Sequence, residues 1–203
     1  YLLPTAYIGA RIWYVIFEWH RYASNPISVF YIWEGGLAWH GGVIAGVLLA
    51  YVYCKKHKMN MLRFGDAILP NALVGQAIGR WGNFINQEAY GPIVSKESIS
   101  WLPEFIQEGM FIRGNYHMPT FLYECIGNLI GFVLIRFVYA KYGRKKRGDL
   151  VYAFCMWSGL VRYVIESFRT DSLMIGPFKT AQLISLLLIA IGLLGMIGVY
   201  DKL

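Results

Sequence analysis

The sequence predicts an all-α, polytopic membrane helix bundle of about six spans. Three observations carry that prediction. Of 203 residues, 57% are hydrophobic and 17% aromatic, while only 15% are charged, well short of the roughly 25% of a soluble domain. The apolar residues gather in runs close to the ~20 residues a bilayer requires. The basic residues gather between those runs rather than along them. A net charge of +7 would point to nucleic acid in a soluble chain. Set between apolar runs it marks loops beside a membrane, so no nucleic-acid partner is expected. Residues 1–203 read as a single transmembrane domain.

Residues 1–19 read as the first span, interrupted by Arg11 and Glu18 and carrying Tyr7, Trp13, Tyr14 and Trp19 as interfacial aromatics. Residues 20–36 are mixed, with Asn25-Pro26 as a turn signal. Residues 37–54 form the second run, broken by His40, and Lys55, Lys56, Lys58 and Arg63 follow it. The third run covers 64–85. Residues 86–118, with Pro92, Pro103, Lys96, Glu97, Glu104, Glu108 and Arg113, are the longest polar segment and predict a folded extramembrane or interfacial excursion. Residues 119–140 are apolar again, and Lys141, Arg144, Lys145, Lys146 and Arg147 close them. The last spans, 149–168 and 179–200, are joined by a short loop with Arg169, Asp171 and Pro177.

The basic clusters set the orientation. With 55–63 and 141–147 on the cytoplasmic side, 20–36, 86–118 and 169–178 fall outside, and the closing Asp201-Lys202-Leu203 falls inside. The pairs Gly42/Gly46, Gly75/Gly79 and Gly127/Gly131 have the spacing of close helix packing. Cys54, Cys125 and Cys155 are odd in number and form no CxxC pair, which leaves them as small apolar packing residues rather than a disulfide framework or a zinc site. The chain starts on Tyr1 with an apolar run already under way, so a preceding segment is expected.

The chemistry concentrates in residues 79–91, Gly-Arg-Trp-Gly-Asn-Phe-Ile-Asn-Gln-Glu-Ala-Tyr-Gly. They put an arginine, two asparagines and a carboxylate at the edge of a span, where ionisable groups are costly and usually functional. On the topology above, His40, Arg80, Tyr123, Glu124, Arg162, Glu166 and Arg169 all fall at the external ends of their helices. The spacing i, i+4, i+7 puts Arg162, Glu166 and Arg169 on one face. Arginines with few local carboxylates imply an anion, and the planar guanidinium fork suits a phosphate. The phosphate a bilayer offers at that depth is a phospholipid headgroup. Each residue also has a plainer reading. His40 could hydrogen-bond between helices, Arg80 could tie to Glu88 or Glu166, Tyr123 could anchor at the interface, and Arg169 could face lipid phosphates. His117 reads as a solvated loop residue, His20 and His57 as interface residues. A transporter or channel for an anionic solute also predicts arginines in a bundle, although charges at one end favour it less than charges at mid-depth would. A scaffold leaves the converging arginines unexplained.

These residues carry a family resemblance. Gly79-Arg80-x-Gly82-Asn83-Phe84-x-Asn86-x-Glu88-x-x-Gly91 resembles the signature of prolipoprotein diacylglyceryl transferases. Gly9-Ala10-Arg11 with Tyr14, Trp39-His40-Gly41-Gly42, Pro119-Thr120-Phe121-Leu122-Tyr123-Glu124 and Arg162-x-x-x-Glu166-x-x-Arg169 resemble four further motifs of that family, in order. One position departs: the family's histidine before the proline is Met118 here, with His117 one residue earlier.

The resemblance implies a bacterial inner-membrane enzyme working at the outer leaflet, with no metal or organic cofactor. Its substrates would be phosphatidylglycerol and the lipobox cysteine of a prolipoprotein signal peptide. It implies His40, Arg80 and Arg162 as catalytic residues. It implies Arg80, Asn83, Asn86, Glu88, Gly91, Tyr123, Glu124, Glu166 and Arg169 as substrate-binding ones. Within that set, Arg80 and Arg162 would hold the phosphate, His40 would take the thiol proton, and Asn83 and Asn86 would orient headgroup oxygens. Glu88 and Glu166 would hold the arginines, and Tyr123 and Glu124 would line the wall. The family also has one or more helices ahead of the point where this sequence starts.

Overall fold

A computed structural model describes residues 1–170 and 174–199. Asp171 of the predicted last loop, and Asp201-Lys202-Leu203, expected inside, lie outside the described residues. The chain packs as two units, residues 1–64 and 65–203. The all-α expectation holds: the strands among the described residues are four, of two residues each.

In the first unit, α1 (Leu2–Phe17) leads through the one-turn α2 (Trp19–Tyr22) and two 3₁₀ turns (Pro26–Phe30 and Ile32–Glu34) to α3 (Trp39–Lys56). Backbones of α1 and α3 touch at glycines. A Cβ on Gly9 would fall 2.8 Å from the Gly41 carbonyl oxygen, and one on Gly42 would fall 3.1 Å from that of Ala6. The loop between the helices is held by one side chain. Arg11 is 7% exposed. Its Nε donates to Val29 O at 2.9 Å, its Nη1 to Gly35 O at 2.6 Å and Gly36 O at 2.9 Å, and its Nη2 to Ser28 O at 3.1 Å and Tyr31 O at 3.4 Å. Its guanidinium lies 5.3 Å from the centre of the Tyr22 ring. The buried guanidinium is satisfied by carbonyls of the loop between the helices, of which Ser28 O and Tyr31 O also accept N–H groups within the 3₁₀ turns.

The second unit starts within α4 (Met61–Ile85). The segment after it holds a 3₁₀ turn (Lys96–Ile99), α5 (Glu104–Gly109) and the hairpin of β1 (Phe111–Ile112) with β2 (Asn115–Tyr116). Its buried residues Ile99, Leu102, Ile106, Met110 and Ile112 pack on Phe121, so the polar segment is folded, as its spacing of prolines and apolar residues predicts. Then α6 (Thr120–Val133) runs through a π turn (Leu134–Tyr139) into α7 (Ala140–Tyr142). Next come α8 (Asp149–Phe168), the hairpin of β3 (Met174–Ile175) and β4 (Phe178–Lys179), and α9 (Thr180–Met196).

The continuous helix Thr120–Tyr142, 23 residues, is the one helix among the described residues both long and apolar enough to cross a membrane. Leu2–Phe17 and Thr180–Met196 are shorter apolar helices. The glycine pairs divide. A Cβ at Gly127 would press on Val161 at 3.2 Å, and one at Gly131 would collide with Trp157, whose Nε1 donates to Gly127 O at 2.9 Å. Around Gly75 and Gly79 nothing lies within 4 Å of an added Cβ, and Gly46 is in ordinary contact, so their predicted close packing is corrected. The spacing marks a smooth helix face, and only a partner backbone makes that face an interface. Unpredicted close approaches join α8 to α9: a Cβ on Gly159 would fall 2.7 Å from Ser185 O, and one on Gly192 would fall 2.6 Å from Tyr152 O.

Two buried carboxylates fix where α8 begins. Asp66 Oδ1 accepts the backbone N–H of Leu150 at 3.0 Å and of Val151 at 3.2 Å, and Oδ2 accepts that of Gly148 at 2.8 Å. Asp149 Oδ2 accepts those of Lys145 and Lys146 at 2.7 and 2.9 Å. Leu150 and Val151 are among the orphan donors that open a helix, while Lys145, Lys146 and Gly148 belong to the turn before it. Gly148, at φ 91°, makes the left-handed turn just before it.

Candidate functional site

The second unit gathers the last turns of α4 and α8 and the first turn of α6 around two carboxylates. Glu124 of α6, 7% exposed, stands between two guanidinium groups: Arg80 Nη1 is 3.6 Å from its Oε2, and Arg162 Nη1 is 3.4 Å from the same atom. Glu166, 2% exposed, receives Arg162 Nη2 at 2.8 Å and Arg169 Nη1 at 4.0 Å. Among the described residues, Arg162 thus bridges the two acids, with Arg80 on Glu124 and Arg169 on Glu166. The guanidinium groups of Arg80 and Arg162 stay partly open, with side chains 26% and 29% exposed. Arg80 Nε is buried with no hydrogen-bond partner among the described residues. A buried donor on a cation with no acceptor beside it suits an anionic ligand.

A polar loop borders the cluster. Asn83 Nδ2 donates to Glu88 Oε1 at 3.0 Å, and Asn86 Nδ2 to the same oxygen at 3.3 Å. Gln87 and Ala89 take φ of 51° and 57°, so this turn is tight and partly left-handed. The Ala89 carbonyl accepts from Thr120 Oγ1 at 2.7 Å, and Gly91 N–H donates to Met118 O at 3.0 Å. A Cβ on Gly91 would lie 2.9 Å from that of Met118, which is why the turn closes on a glycine.

The family model described as prolipoprotein diacylglyceryl transferase matches residues 1–198. The chain belongs to the prolipoprotein diacylglyceryl transferase family. Two proteins named phosphatidylglycerol–prolipoprotein diacylglyceryl transferase are each 49% identical to it. One, from Halalkalibacterium halodurans, aligns over 96% of this chain and 68% of its own length. The other, from Clostridium botulinum, aligns over 98% and 78%. A third of that name, from Lactococcus lactis, is 44% identical over 96% of this chain and 74% of its own.

For this member of the prolipoprotein diacylglyceryl transferase family, the geometry redistributes the roles read from the sequence. The i, i+4 pair of Arg162 and Glu166 forms as spaced. The partner of Arg80 is Glu124 rather than Glu88 or Glu166: Glu124 reaches across from a neighbouring helix, while Glu88 turns back onto Asn83 and Asn86. Tyr123 is half-buried beside Glu124 on α6 and outside these ion pairs. Gly91 packs against Met118 and Thr120. His40 belongs to the first unit, exposed in the first turn of α3. His117, read as solvated, is half-buried: its Nδ1 lies 2.9 Å from Gly91 O, and its ring lies tilted against that of Tyr90, centroids 4.4 Å apart.

Sequence reasoning missed Lys179. Its Nζ donates to Glu166 O at 2.6 Å, Arg169 O at 3.0 Å and Ser167 O at 3.5 Å, and so closes the C-terminal end of α8. A cation at a helix C-terminus is favoured by the helix dipole. The one available signal was a lone lysine at the start of an otherwise apolar span.

Proposed function

We propose that the chain transfers the sn-1,2-diacylglyceryl group of phosphatidylglycerol to the thiol of a prolipoprotein lipobox cysteine, the first step of bacterial lipoprotein maturation. A C–S bond forms at the glyceryl carbon that carries the phosphate, and the C–O bond to that phosphate breaks. Glycerol phosphate leaves with the bonding pair, and the thiol proton goes to a base. The lipid phosphate starts as a singly charged diester and leaves as a monoester with an additional ionisable oxygen. Arg80 and Arg162 therefore bind it more tightly as the bond breaks, and only such a difference accelerates the step. The observation that carries this reading is the buried Arg80 Nε, with no hydrogen-bond partner among the described residues, beside the Arg162 guanidinium on a shared carboxylate, Glu124.

Glu124 and Glu166 hold the two guanidinium groups apart and pre-aimed, so little reorganisation is left for the reaction. Asn83 and Asn86, steadied by Glu88, offer amide groups to headgroup oxygens. His40 takes the thiol proton, because the thiolate is the nucleophile.

The chain would lie in the bacterial inner membrane as about six spans, with the arginine cluster at the outer leaflet. Exposed apolar side chains such as Ile8, Ile12 and Ile16 on α1, Ile126 and Ile130 on α6, and Leu187 on α9 support a lipid environment. The basic stretches 55–63 and 141–147 support the orientation.

The test supplies phosphatidylglycerol labelled in its acyl chains, and a lipobox peptide, to the full-length protein in detergent. Label on the peptide cysteine is expected. Arg80→Lys keeps the charge and loses the fork, and its expected kcat falls by about 10²–10³. No labelled peptide with the unaltered protein would defeat the reading, and wild-type turnover by Arg80→Lys would defeat bidentate phosphate binding.

A further inference from the structure

The start of α8 holds a feature that the transfer reaction leaves unused. Lys141, Arg144, Lys145, Lys146 and Arg147 crowd into seven residues, and like charges at that density repel and stay solvated unless something fixes them. Here the backbone is fixed. The N–H groups of Gly143 and Arg144 both donate to Tyr139 O at 2.9 Å, at the end of the π turn. Those of Lys145 and Lys146 go to Asp149, and that of Gly148 to Asp66. Both carboxylates are buried, 3% and 2% exposed; Asp66 accepts three backbone N–H groups and Asp149 Oδ2 accepts two. Among the basic side chains, Arg144 Nη2 meets Asp66 at 2.9 Å. Lys141, Lys145 and Arg147 stand exposed at the surface.

The surface beside them is apolar. Lys141 Nζ lies 5.0 Å from the centre of the Tyr142 ring, which is 76% exposed. Phe137 and Val138, one turn earlier, are 60% and 47% exposed. A rigid basic rim above exposed aromatic and aliphatic side chains matches the bilayer interface, with phosphate at the rim and acyl chain below it. A soluble acidic protein would leave the apolar half of the surface uncovered.

The 20 residues of α8 separate this rim from the arginine cluster at the other end by about 30 Å, close to the hydrocarbon thickness of a bilayer. We infer that residues 141–147 form a binding site for the headgroups of anionic phospholipids in the leaflet opposite the transfer site. The inference rests on the membrane reading above but not on the transfer reaction. The site recognises phosphate charge held at an interface, so it takes any anionic phospholipid, including ones that cannot donate a diacylglyceryl group.

The experiment uses the full chain in phosphatidylcholine bilayers with and without phosphatidylserine, and reads the midpoint of thermal denaturation. The unaltered protein is expected to gain several degrees with phosphatidylserine, and to lose the gain in high salt. The variant Lys141→Gln/Lys145→Gln/Arg147→Gln is expected to lose at least about half of the gain. Lys141→Arg/Lys145→Arg/Arg147→Lys keeps the charge and is expected to keep the gain, which separates lost binding from lost folding. An undiminished gain in the glutamine variant overturns the inference. So does an equal gain from inorganic phosphate in plain phosphatidylcholine, or a gain abolished by Arg80→Gln alone. Label transfer to the lipobox peptide is measured on the same samples: its absence from the unaltered protein would sink the transferase reading and leave the lipid result standing.

Discussion

Lys179 shows at the scale of one residue how the arginine cluster is held. Arg162 and Glu166 lie in the last two turns of α8 and Arg169 directly follows it, where carbonyls lose their helical partners. Nζ of Lys179 gathers three of those carbonyls, including that of Glu166 itself. Lys179→Met is expected to cost about 1–2 kcal/mol of stability and to lower kcat more than it raises KM, since Arg169 and Glu166 would no longer be held in one place. Lys179→Arg is expected to recover most of both. Thermal denaturation and label transfer on the two variants check this, and equal kcat in Lys179→Met and the unaltered protein would remove Lys179 from the positioning of the site. Glu124 makes a related point. Its neighbour Tyr123 stands out more to a sequence reader, yet the carboxylate is what two helices share.

At the scale of elements, the junction of α4 with α8 depends on Asp66. Its oxygens take three backbone N–H groups and Arg144. Asp66→Ala would leave buried donors unmet, at about 1–3 kcal/mol for each, so a total loss of at least about 3 kcal/mol is expected. The loss would appear as a lower midpoint of thermal denaturation and faster proteolysis within 141–150. A midpoint unchanged from the unaltered protein would show that the loop does not depend on this carboxylate. Sequence spacing placed every long helix within a few residues, because an apolar run and its flanking charges are local properties. It misjudged Gly75 and Gly79 and missed Gly159 and Gly192, because a glycine becomes a contact only through what lies opposite it.

At the scale of the whole molecule, the transfer reaction needs a base as well as a phosphate clamp. If His40 takes the proton, the rate of the unaltered enzyme is not tied to the ionisation of the free thiol. His40→Gln would instead follow the ionisation of the cysteine thiol, whose ordinary pKa is about 8.5. The expected result is a His40→Gln rate that climbs about tenfold per pH unit up to that range, measured by label transfer from pH 6 to 9. A pH profile identical to that of the unaltered protein would remove the general-base role.

The sequence by itself determined the all-α class, the helix positions, the membership in a family and the set of polar residues from which the site is drawn. These follow from local composition and from ordered motifs, which need no knowledge of what folds against what. Only the tertiary structure decided that Glu124 bridges Arg80 and Arg162, that Glu88 serves the asparagines, that Lys179 seals α8, and that Asp66 and Asp149 shape the basic loop. Those pairings join residues from 2 to 82 positions apart in sequence, and a charge pairs with whichever partner the fold brings within a few ångströms.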